Sequence, residues 1–93
     1  MGLEATVRNP AQNVQFQPAR ILDISGTGMA LVVSQPYEPG TLLDVEIPRA
    51  APLFPRQLLV HVRHLNDRPG GYWIAGCELV KPLSSEDLRV LLG

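Results

Sequence analysis

A chain of 93 residues has room for one hydrophobic core, because two half-sized cores would bury too little apolar surface to offset chain entropy. Hydrophobic residues make up 45% and charged residues 18%, which excludes the disordered class, and a net charge of −1 from 8 basic and 9 acidic residues gives no broad positive field to hold DNA or RNA. The single cysteine, Cys77, excludes an internal disulfide or a thiolate-rich metal cluster and fits a reducing cytoplasm, while the longest apolar run, Met29 to Val33, is far too short to insert across a membrane.

Leu3, Ala5 and Val7 alternate with Glu4, Thr6 and Arg8, the period of a strand with one buried face, and Asn9-Pro10 ends it. Phe16 to Ile24 predicts a second strand whose core part is Ala19 to Ile24, with Pro18 marking an edge or the strand's beginning, since proline cannot donate to a central ladder. Ser25-Gly26-Thr27-Gly28 reads as a tight turn, and the apolar run Met29 to Val33, with β-branched Val32 and Val33, as the returning strand of a hairpin. Pro36, Pro39 and Gly40 make the next turn. Leu43, Val45 and Ile47 then alternate with Asp44 and Glu46 as a half-exposed fourth strand.

Prolines 48, 52 and 55 predict a loop over residues 48–57, in which Leu53-Phe54 touches the core or forms an exposed apolar rim. Leu58, Val60 and Val62 mark a fifth strand ending near Leu65, followed by a turn over Asn66 to Gly71 and a sixth strand from Tyr72 to about Val80. Ser84 and Asp87 have capping-box spacing, flanked by Leu83 and Leu88 at the positions of a hydrophobic staple, so a short helix begins there with Leu88, Leu91 and Leu92 on one face. Six short strands and one terminal helix predict an all-β fold, a small six-stranded antiparallel β-barrel with one short C-terminal α-helix; a β-sandwich is the competing architecture.

Catalytic signatures are absent: no GxSxG, P-loop, GxGxxG or HExxH pattern occurs, so the chain is not expected to be an enzyme. No metal or cofactor is expected either. His61 and His64 stand three apart on a strand, a spacing that sends them to opposite faces, and Cys77 alternates with Trp73, Ala75 and Leu79 as a core residue.

The densest chemistry lies in Asp23-Ile24-Ser25-Gly26-Thr27-Gly28. Gly26 and Gly28 permit positive φ and close backbone approach, Asp23 can accept from a nitrogen donor, and Ser25 can donate to an oxygen. Taken alone, the same residues also describe a plain turn in which Asp23 and Ser25 bond their own backbone.

This segment resembles the [D/N]xSxxG signature of PilZ domains, matched by Asp23, Ser25 and Gly28. Further along, Gly40-Thr41-Leu42-Leu43-Asp44-Val45, the strand Leu58–Leu65, the closing strand Tyr72–Leu79 and the Ser84-Ser85-Glu86-Asp87 helix start fit the same family, so the resemblance covers most of the chain. It implies a six-stranded barrel that binds cyclic di-GMP, a bacterial second messenger, and passes the signal to a partner protein or adjacent domain. Asp23, Ser25 and Gly28 would be the ligand contacts, with Arg20 and Arg8 as helpers.

The family's other element, an RxxxR pair ahead of the first strand, is not matched: among Arg8, Arg20, Arg49, Arg56, Arg63, Arg68 and Arg89 no two stand four apart. Because alternation begins by Leu3, residues 1–93 are expected to be a single domain, N-terminally truncated or excised from a longer protein that carries the pair upstream. The alternative is a degenerate barrel acting as a ligand-independent interaction module, docking through Leu53-Phe54. Without the two arginines, each contributing about 1.5–3 kcal/mol, the chain is expected to bind the dinucleotide weakly.

Overall fold

The two-residue period read from the sequence becomes a barrel because every strand buries one face against the same core. In the computed structural model, which describes residues 3–12, 15–48 and 57–92, the strands are β1 (Leu3–Arg8), β2 (Gln17–Ile24), β3 (Gly28–Val33), β4 (Leu42–Glu46), β5 (Gln57–Arg68) and β6 (Tyr72–Leu79), followed by helix α1 (Ser85–Leu92). All pairings are antiparallel, and the order β1-β2-β3-β6-β5-β4 closes through β1 and β4, so no strand is left as a free edge. Val7, Leu31, Val33, Leu43, Val45, Val60 and Val62 fill the centre and are essentially inaccessible to solvent. The expected barrel and terminal helix are both present, and the sandwich is not.

Pro18 lies at the beginning of β2, just after Gln17, as expected: it stands opposite Thr6 of β1, while pairing with β3 begins only at Arg20. Two expectations need correction. Strand β5 runs to Arg68 instead of ending near Leu65, because Asn66, Asp67 and Arg68 pair with Ile74, Trp73 and Tyr72. The turn contracts to Pro69-Gly70-Gly71, where both glycines have positive φ, 100° and 83°. Asp44, read as half-exposed, is buried, because the outward face of β4 is covered by Arg8 and a 3-10 turn over Pro10–Gln12. The Arg8 guanidinium donates to Asp44 at 3.0 Å and stands 4.7 Å above the Phe16 ring, fastening the β1–β4 closure. Most of the loop 48–57, with Leu53-Phe54, lies outside the described residues.

The helix starts as its sequence predicts. Asp87 N–H donates to Ser84 Oγ at 3.0 Å and Ser84 N–H to Asp87 Oδ2 at 3.1 Å, a reciprocal capping box, and Leu91 is buried against the core. Between β6 and α1 the chain is tied to the β2–β3 turn: Leu79 N–H donates to Thr27 O at 2.8 Å and Leu83 N–H to Gly26 O at 2.7 Å.

Candidate functional site

A strict alternation from the buried Ile21 would carry Asp23 into the core. The register instead shifts between Ile21 and Asp23, so that Leu22 is an extra residue in β2, and Leu22 and Asp23 both face outward before Ile24 turns in again. The same device recurs on β5, where the register shifts between Val62 and His64 and leaves Arg63 and His64 both exposed. Across the four adjacent strands β2, β3, β6 and β5, the partners Asp23, Ala30, Gly76 and His64 therefore form one outward row. Its two central members are the smallest side chains available, so a cleft opens between Asp23 and His64.

The cleft has a volume of about 320 Å³ and is lined by Asp23, Ser25, Gly28, Ala30, Arg63 and His64, among others. Asp23 is exposed, and its carboxylate makes no hydrogen bond or ion pair to the described residues. Ser25 is committed to its own turn: Gly28 N–H donates to Ser25 Oγ at 3.2 Å, Thr27 N–H reaches it at 3.4 Å, and Ser25 N–H donates to Gly28 O at 2.9 Å. The two corner residues thus differ, Ser25 shaping the turn and Asp23 projecting from it.

The glycines of the corner are needed for space, not for positive φ, which neither Gly26 nor Gly28 adopts. A Cβ on Gly28 would lie 2.6 Å from Cys77 O, and one on Gly26 would lie 3.2 Å from Leu83 O. This corrects the conformational reason expected from the sequence and keeps the close-approach one.

Of the two helper arginines, the structure brings only Arg20 near. Arg20 faces outward on β2 between Glu4 and Val32, and Val32 lies two residues beyond Ala30 on β3, about 7 Å along the strand. Arg8 is not brought to the cleft. Val7 pairs with Gln17, six residues and about 20 Å along β2 from Asp23, and Arg8 lies beyond it, held by Asp44.

Sequence reasoning missed Arg63 and His64. The bulge puts His61 and His64 on the same outer side of β5, correcting the expectation of opposite faces, with His61 opposite Glu78 and His64 opposite Gly76. Arg63 donates through Nε to Glu78 Oε1 at 2.8 Å, and through Nη2 to the same oxygen. No local signal in the sequence marks the register shift that gathers these residues. Among the described residues no three His, Cys, Asp or Glu side chains are grouped to hold a metal ion, and no helix is long and apolar enough to cross a membrane. Cys77 lies under the cleft facing the core, where burial pushes its thiol pKa up to about 11.

The sequence profile of the PilZ domain family matches residues 1–93, essentially the entire chain, and the chain belongs to that family. No curated protein matches it. PilZ domains are a family of binding and adaptor domains, not of enzymes, and are known for binding cyclic di-GMP and acting through partner proteins.

Proposed function

We propose that this PilZ domain is a receptor for cyclic di-GMP, holding the dinucleotide at the Asp23–Ser25–Gly28 corner and passing its binding to a partner protein or neighbouring domain. The observation that carries this reading is the Asp23 carboxylate, turned outward by the β2 bulge, without a partner among the described residues, on the wall of a cleft. A guanine presents N–H donors on one edge, and an ionised carboxylate accepts them in charge-assisted hydrogen bonds stronger than neutral ones. Ser25 and Gly28 contribute by fixing the turn from which Asp23 projects, and Arg20, one outward row away, is positioned to meet a phosphate. The corner is also bonded to the segment leading into α1, through Leu79 and Leu83, so a contact made there bears on the surface around the helix. Recognition of a bacterial second messenger would place the domain in the cytoplasm, with no catalytic step and no cofactor.

A second reading, a ligand-independent interaction module, is favoured by a separate groove. About 340 Å³ in volume, it is lined by Leu58, Leu59, Leu79, Val80, Lys81 and Pro82, with Leu59 and Val80 exposed. Titration of cyclic di-GMP into the chain, followed by amide chemical shifts at millimolar ligand, separates the two. Shifts centred on residues 23–30 that Asp23→Ala abolishes support the receptor. An unchanged spectrum overturns it in favour of the interaction module.

A further inference from the structure

The cleft has two walls, and the family signature accounts for only one of them. The opposite wall is built from β5 and β6, remote in sequence from the corner. Asp23 and His64 are separated by three strand spacings, about 14 Å between backbones, with Ala30 and Gly76 as the floor. The His64 imidazole leans across this floor: it occupies the space over Gly76 into which any side chain there would project, so that even a methyl group on Gly76 would overlap Cε1, Nε2 and Nδ1 of the ring. Gly76 is not among the glycines with positive φ, so backbone conformation does not require it, and the space it leaves is what the ring uses. His64 is itself exposed, and no hydrogen bond to the described residues engages its ring nitrogens. A carboxylate acceptor on one side and an exposed aromatic ring on the other, above a floor of Ala and Gly, is the arrangement that receives a flat heterocycle with donors on its edge.

We propose that His64 is the base-contacting wall of this cleft, so that a purine whose donor edge is held by Asp23 lies against the His64 imidazole, in the position Gly76 permits. The inference rests on the receptor reading above and adds to it a residue and a mode of contact. Base–aromatic stacking is sequence-tolerant but strong enough to measure, and removing the aromatic partner weakens binding by about tenfold or more. Adjacent Arg63, tethered to Glu78, borders the same wall and is positioned to meet a phosphate attached to that base.

The test is titration of cyclic di-GMP into the wild-type chain and into Asp23→Ala, His64→Ala, His64→Phe and Gly76→Ala, read by amide and imidazole proton shifts, with each variant's unliganded spectrum reporting its fold. The expected result is an upfield shift of the His64 ring protons on binding, a loss of about tenfold or more in affinity for His64→Ala, and retention of most of the affinity in His64→Phe. Gly76→Ala is expected to resemble His64→Ala, because the added methyl pushes the ring away while leaving it chemically intact. Wild-type affinity in His64→Ala, alongside weakened binding in Asp23→Ala, overturns this inference and leaves the receptor reading standing. His64→Phe binding as poorly as His64→Ala overturns the stacking contact. No shifts in the wild-type chain at millimolar ligand overturn the receptor reading itself, and His64's role with it.

Discussion

Asp23 on β2 and Asp44 on β4 both occupy outward positions on the same barrel, and their surroundings separate a site from a scaffold. Asp44 is covered by the 3-10 turn and paired with Arg8, its side chain only 10% exposed, at the seam where β1 meets β4. Asp23 lies at the other end of β2 from that seam, exposed, and free of partners among the described residues. One carboxylate has its hydrogen-bonding capacity used within the fold, and removing it leaves a half-buried guanidinium uncompensated. The other carries its capacity unspent into a cleft. Which acidic residue is available to a ligand is therefore decided by what covers the outward face of each strand, and not by charge or by strand position.

The harshest way to break this comparison is to remove the seam. Asp44→Ala is expected to cost about 2–3 kcal/mol in chemical denaturation, below the range for a fully buried pair because Arg8 remains partly solvated. Its effect on cyclic di-GMP affinity per folded molecule should be nil. Gly28→Ala comes next: the new methyl meets backbone at Cys77, which cannot swing aside, so a loss of about 1–3 kcal/mol and a distorted corner are expected from the same denaturation curves and from amide shifts at residues 25–30.

Cys77, on the core side beneath the cleft, sharpens the comparison through pH. Its folded-state pKa of about 11 lies above the ordinary thiol value, so the folded state favours the neutral form. The associated stability is fully present below the unfolded thiol's pKa and declines as pH rises from about 9 through about 11. Alkylation by iodoacetamide at pH 8 should accordingly be slow in the native chain and rapid in denaturant; fast native labelling would mean the cleft opens to its core side. Smallest of all is Asp23→Ala, expected to leave stability within about 0.5 kcal/mol of wild type, since nothing described in the fold leans on that carboxylate. A destabilisation matching that of Asp44→Ala would erase the distinction between the two aspartates.

Much of this protein was legible from local chemistry. Alternation marked β1, β4, β5 and β6 with their buried residues, Ser84 and Asp87 marked the helix start, and the Asp23–Gly28 segment stood out as the corner of interest, because strand period, capping and turn formation depend on residues only a few positions apart. Where a competing long-range pairing existed, local reading fell short. Asn66, Asp67 and Arg68 have turn composition yet extend β5, since β6 offers them partners.

The cleft itself belongs to the tertiary structure. Period-two alternation specifies that a strand has two faces, but a single bulge at Leu22 or Arg63 resets which residues occupy them, and the sequence carries no mark of that extra residue. Nor can it show that His64 shares a row with Asp23, 41 positions earlier. That neighbourhood exists only once β3 and β6 lie side by side between them, because hydrogen-bonded register, not distance along the chain, fixes which side chains face each other across a sheet.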